Sequence, residues 1–139
     1  MHIQIRSTTE ESSTDLEGLL RVLADGGVNL VAAGGGDLAH GGEFAFAVEH
    51  GEEEHAVELL RESNIQARPV EVRHFELSNE PGQLHRAVAE VAHENAESGR
   101  AIQDVLVGTP TRDGTIPIQI YSREIEPAIE IEEAGPGAE

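Results

Sequence analysis

The chain contains no cysteine, so disulfides, thiolate metal sites and thiol nucleophiles are excluded from its chemistry. It has no tryptophan, and aromatic residues make up only 3% of it. Its core must therefore be aliphatic, built from Val, Leu, Ile and Ala. Lysine is also missing: all basic residues are arginine, and they are so outnumbered by acids that the formal charge is −18. A field of that sign repels phosphate backbones and anionic lipid, so neither nucleic acid nor a membrane is an expected partner. The charge itself reads as G+C-rich coding bias with adaptation to high salt rather than as a functional feature. No window approaches the roughly 18 apolar residues of a membrane span. Met1–Arg6 lacks the apolar core of a signal peptide. The expectation is a soluble, cytoplasmic protein.

A length of 139 residues suits one ordinary domain or two very small ones. The chain is patterned in two passes. In the first, Ile3 and Ile5 alternate in a short strand. Ser7–Thr14 is a polar loop. Leu16, Leu19, Leu20 and Leu23 recur at helical spacing, and Gly26-Gly27 stops that helix. Val28–Ala33 is a second strand, and the glycines from Gly34 to Gly42 form a flexible hairpin loop. Phe44, Phe46 and Val48 alternate in a third strand. Glu52–Ser63 is a second helix and Gln66–Arg73 a fourth strand. The order is β-α-β-β-α-β.

The second pass starts with a strand at Phe75–Ser78. Pro81 opens a helix whose apolar residues Leu84, Val88, Val91 and Ala92 share a face; it ends near Ser98-Gly99. Ile102–Gly108 is a strand carrying Val105 and Val107 on one face. Asp113-Gly114 supplies a hairpin turn with positive φ angles, and Ile116, Ile118 and Ile120 alternate in the strand that follows. This half stops at β-α-β-β. Pro127–Glu132 has the pattern of a brief strand, and Ala134–Glu139 reads as a disordered acidic tail. The expected division is residues 1–73, residues 74–125 and a tail from 126 to 139. No linker separates the halves, so they are expected to share a sheet or pack closely.

A strand, then Asn79-Glu80-Pro81-Gly82-Gln83-Leu84, then an amphipathic helix resembles the ACT domain family. The run Leu16 to Leu30, with Gly26-Gly27-Val28-Asn29 after the helix, is similar to the family in the first half. That half departs at its own corner, TTEESST (Thr8–Thr14), which has neither Pro nor Gly; the second half lacks the final α-β. The resemblance implies an α+β protein of two tandem ferredoxin-like (βαββαβ) modules, with antiparallel sheets and helices on one face, the second module truncated. No attached catalytic domain is expected. The resemblance also implies amino-acid ligands at the strand-to-helix corner, often against a neighbouring module's second strand. Here that means Asn79, Glu80, Pro81, Gly82, Gln83 and Leu84, opposed by Val105, Val107 and Gly108. The physical chemistry of the corner runs the same way. Pro81 suits a first helical position, Ser78 or Asn79 suits a cap, and free N–H groups at a helix N-terminus attract a carboxylate. The structural alternative is that Pro-Gly serves tight packing between modules.

Other candidates carry less. His50 and His55 do not share a helix face, and the Glu-rich segment between them reads as a solvated helix start. His85 and His93 lie two turns, about 12 Å, apart, too far for one metal. His74 and His85 flank the corner. No nucleophile–base pair has a recognisable spacing, and no glycine run opens a helix as a phosphate loop does. The reading is therefore a regulatory protein that binds a small molecule such as an amino acid, with no cofactor and no metal. The alternatives are an assembly module without a ligand and a His/Glu metal-responsive protein. Because the second half has one helix for its sheet, the Ile116/Ile118/Ile120 face is expected to stay partly open and to be closed in a homodimer.

Overall fold

The structure, a computed structural model, describes residues 2–8, 12–36 and 42–125. Its elements are β1 (His2–Thr8), α1 (Ser12–Asp25), β2 (Leu30–Gly35), β3 (Glu43–Val48), α2 (Glu53–Glu62), β4 (Arg68–Leu77), α3 (Gln83–Ser98), β5 (Arg100–Val107) and β6 (Ile116–Glu124). The strands form one antiparallel sheet in the order β2-β3-β1-β4-β6-β5.

Two expected strands prove to be one. β4 runs without a break through Arg73: Arg68–Val72 pair with β1 and Arg73–Leu77 with β6. The β-branched and alternating residues of Val70–Phe75 contain no turn former, so nothing ends the strand where the two passes meet. The polar loop before α1 is also shorter than its composition suggested. β1 reaches Thr8 and the helix begins at Ser12, while Thr9–Glu11 lie outside the described residues. The proposed strand at Pro127–Glu132 and the acidic tail lie outside them as well.

Strand alternation sorts the side chains into three layers of contact. Ile5, Phe44, Phe46 and Val48 point to one face, where Leu19 and Leu23 of α1 and Ala56 and Leu60 of α2 cover them. The opposite face of the same strands is small or polar: Gln4, Arg6, Ala32, Ala45 and Ala47. It meets the face of β5 and β6 that carries Asp104, Leu106, Gln119 and Tyr121. Leu106 packs among the three alanines, and Gln4 hydrogen-bonds Gln119. The sheet thus folds over on itself along β4, two faces inward, helices outside both. At the far side the Thr109 N–H donates to the Val31 carbonyl at 3.3 Å. A side chain at Gly108 would come within 2.6 Å of that carbonyl oxygen, so the close approach there depends on glycine.

The third layer corrects the expectation of an open face. Ile118 and Ile120 are buried with Val91 of α3, with Phe75, Leu77, Val88, Ile102, Val105 and Ile116 around them. One helix suffices for this three-stranded part, because the fold of the sheet covers its other face. What stays unpaired among the described residues is the outer edge of β5 and of β2. The β5–β6 turn is corrected too: Gly114 has φ of 85°, but Asp113 does not share a positive φ. The turn is closed instead by Thr111 and Thr115, whose hydroxyls lie 2.8 Å apart.

Candidate functional site

The corner after β4 differs from its expected form. Helix α3 starts at Gln83, not at Pro81, and its cap is Gly82 in the left-handed region with φ of 86°. No side chain caps the helix, so neither Ser78 nor Asn79 has the expected role. Pro81 stiffens the turn before the cap, in which the Glu80 N–H donates to the Ser78 carbonyl. Only glycine adopts this φ cheaply, and the space where its side chain would stand is open. The Gln83 N–H makes a long bond, 3.3 Å, to the Glu80 carbonyl. The N–H groups of Leu84 and His85 have no backbone or side-chain acceptor among the described residues. Asn79, Glu80, Pro81 and Leu84 are all exposed, and Gln83 is half-buried.

The opposing residues sit at the same end of the sheet. Leu77 pairs with Ile116, and Val107 with Ile118, two residues further along β6. Val107 is 55% exposed and Leu84 45%, two of the few exposed large apolar side chains among the described residues. Val105 is packed toward α3. Gly108 is taken up by the contact with β2 and is not open to a ligand within this chain. The corner and β5 are separated by β6, so one chain does not bring Gly82 and the β5 edge face to face.

A second constellation was not legible in the sequence. Arg6 is 2% exposed. Its Nε donates to Glu43 at 2.9 Å, its Nη1 to the Gln4 amide oxygen at 2.6 Å, and its guanidinium also binds the Asp104 carboxylate. It lies over the Tyr121 ring, 4.3 Å from the centroid. Arg68 adds a second donor to Glu43 at 2.7 Å. Arg6, Glu43, Arg68 and Asp104, together with Gly34–Gly36, Gln103 and Arg123, line a cleft of about 1000 Å³ between β2 and β5. On the far side of the seam, His2, His50 and His74 line a cleft of about 480 Å³ with Glu49, Glu53 and Glu76. The His2 and His74 rings stack at 4.1 Å. Stacked imidazoles do not aim their lone pairs at one point, and no three His, Asp or Glu among the described residues are grouped to hold a metal ion. His85 and His93 are exposed on α3, and the His55 ring bonds the Gly26 carbonyl.

Two of these groups make the fold sensitive to acid. Burial raises the Glu43 carboxyl, but the hydrogen bonds from Arg6 and Arg68 outweigh it and hold the group below the usual carboxylate range. A depressed carboxyl stabilises the fold above its unfolded value, and this is lost as pH falls below about 4.3. Burial, and then the neighbouring His74, lower His2. A histidine lowered on folding loses stability earlier, as pH falls through about 6.5, because only the unfolded chain takes up the proton. The melting temperature should therefore fall in two stages between pH 7 and pH 3. A flat profile between pH 7 and 5 would contradict the His2 part, and one flat below 5 the Glu43 part.

No protein-family model matches the chain, and no curated protein matches it by sequence. Solved structures do match the fold. Protein BT0572 from Bacteroides thetaiotaomicron superposes with a TM-score of 0.69 at 20% identity, over 96% of this chain and 87% of that one. The regulatory subunit of aspartate kinase from Thermus thermophilus, in its ligand-free form, gives 0.56 at 18% identity over 96% of this chain and 87% of its own. The same subunit from Thermus flavus gives 0.57 at 17% identity, over 86% and 82%. At these identities the likeness is one of fold: an α+β chain of antiparallel strands and helices, matched along nearly its whole length. No helix among the described residues is long and apolar enough to cross a membrane.

Proposed function

We propose that this chain is a regulatory protein of two ACT-type modules, residues 1–73 and 74–125, which share β4 and bind a small molecule, an amino acid by preference. It acts by binding, in the cytoplasm, and carries no reaction of its own. The ligand's carboxylate takes the N–H groups of Leu84 and His85 at the corner Asn79–Leu84, where Gly82 leaves room for it. The Val105–Val107 segment of β5 from a second copy closes the site. The observation that carries this reading is the uncapped start of α3: unused N–H donors beside a glycine whose side-chain position is open. Donors of this kind, at the positive end of a helix dipole, suit a carboxylate. The fold it shares with regulatory subunits supports the same reading.

The same geometry supports a homodimer, though not for the reason the sequence suggested. The sheet faces are covered; the β5 edge, unpaired among the described residues, and the exposed Leu84 and Val107 are what a second copy would bury. Two-fold pairing would set each β5 beside the other copy's corner. A thermal-shift screen of the twenty amino acids tests the function. A ligand at a hundred times its Kd adds about 2.7 kcal/mol of stability, which is easily seen as a rise in melting temperature. Gly82→Val should remove that rise, because the side chain fills the ligand's approach and cannot adopt the φ of 86° without strain. The variant should remain folded at a cost of about 1–2 kcal/mol for the strained φ, since nothing lies within 4 Å of the new Cβ. An unchanged response in the variant would place the site elsewhere. Silence toward every amino acid would favour an assembly module without a ligand.

A further inference from the structure

The two sheet faces meet through side chains that are almost wholly buried and polar: Gln4, Arg6 and Gln119 are at most 5% exposed. Their hydrogen bonds run in one direction. Arginine has donors only, so the Gln4 atom 2.6 Å from Arg6 Nη1 must be its oxygen. The Gln4 amide nitrogen then points onward and donates to the Gln119 oxygen at 3.2 Å. That turns the Gln119 amide nitrogen toward His74 Nδ1, 3.4 Å away, which must accept. His74 Nε2 is then the protonated nitrogen, and it donates to Glu76 at 2.9 Å. The fixed orientation of Arg6 thus dictates a histidine tautomer on another strand, three hydrogen bonds away.

We propose that this seam is a protonation-sensitive latch: the one-way chain from Arg6 through Gln4 and Gln119 holds His74 as the neutral Nε2–H imidazole, and a second proton on His74 breaks it. The proton would land on Nδ1 and face the Gln119 NH2. Rotating the Gln119 amide by half a turn satisfies His74 but presents NH2 to Gln4. Rotating Gln4 in turn presents NH2 to Arg6, which has nothing to accept with. The mismatch cannot leave the seam: at Gln4 and Arg6 it leaves a buried donor unpaired, and at His74, beside the cleft, it costs the bond to Gln119. Protonation therefore loosens the contact between the two sheet faces, and with it the wall shared by both clefts.

The surroundings of His74 act in both directions. Glu76 on β4 and, across the cleft, Glu49 after β3 and Glu53 on α2 favour the imidazolium. His2 on β1, stacked on the ring, and His50 beside the cleft oppose it once charged. Glu76 keeps its bond to Nε2 in either state, so the Nδ1 side alone decides whether the seam is matched.

Two measurements test this. Nitrogen-15 NMR of the wild-type protein at pH 7.5 should show His74 as the Nε2–H tautomer; an Nδ1–H tautomer, or an imidazolium, would overturn the proposal without any mutation. Gln119→Glu then supplies an acceptor on both sides, one oxygen for Gln4 and one for a protonated Nδ1. In that variant the ratio of imidazolium to imidazole at His74 should rise about tenfold or more at pH 6. Its melting temperature should rise from pH 8 to pH 6, where the wild type falls. The contrast should persist in a His2→Gln background, which removes the stacked ring's own titration. Parallel pH profiles for Gln119→Glu and its parent would refute the latch.

Discussion

Replacing Arg6 with alanine should destabilise the protein by about 2–4 kcal/mol, because the arginine is buried while the carboxylates it leaves behind are partly exposed. The guanidinium is the only cation within hydrogen-bond reach of Asp104 among the described residues, and it shares Glu43 with Arg68. Without it Glu43 keeps Arg68, but Asp104 loses its partner and the Gln4 oxygen its donor, both on the inner face of the seam. The cavity and the lost stacking on Tyr121 add to the cost. Chemical denaturation should show it as a lower midpoint with an unchanged slope. Arg6→Lys should recover part of the loss, because it restores the charge but not the fork that reaches two carboxylates and an amide at once. A loss under 1 kcal/mol for Arg6→Ala would mean that water fills the cleft well enough to solvate Asp104.

Phe46→Ala should cost a similar amount, about 3–5 kcal/mol, by a different route. Phe46 is fully buried and sits at the middle of the largest apolar cluster, facing Ile5 across the β1–β3 pair and lying 5.9 Å from the Phe44 ring. Phe46 heads the fully buried side chains by volume, so the aliphatic side chains around it can fill the space only in part. The loss should appear in the denaturation midpoint and leave the pH profile of the seam unchanged, since Phe46 points away from it. Ala45 and Ala47, its neighbours along β3, face inward to Leu106; enlarging either one should disturb the seam and not the helix layer.

Much of the architecture was legible in the sequence because it is written in local patterns. The leucines at Leu16, Leu19 and Leu23 and the Gly26-Gly27 stop gave α1 and its end. There the Val28 N–H does reach back to the Leu23 carbonyl at 2.9 Å. The alternation at Phe44, Phe46 and Val48 gave β3. What failed depended on contacts distant in the chain. The two strands expected on either side of Arg73 run as one, because a strand shared by two halves leaves no turn signal. The open face at Ile116–Ile120 was inferred by counting helices, and that count cannot show a sheet folding onto itself. Pro81 has the chemistry of a first helical residue, yet Gly82 in the left-handed region delays the helix to Gln83. The seam was invisible for a plainer reason. Gln4, Arg6 and Gln119 occupy the polar positions of alternating strands, where solvent exposure is the ordinary expectation. Only the fold-over of β4 turns those positions inward.

Binding of a small-molecule carboxylate at the glycine corner can be followed by backbone NMR during titration with the amino acid selected by the thermal-shift screen. The amide signals of Gly82, Gln83, Leu84 and His85 should move first, together with those of Val105–Val107, at a mass corresponding to two copies. Shifts confined to Gly34–Gly36, Gln103 and Arg123, with the corner unmoved, would contradict it and assign the ligand to the arginine cleft instead.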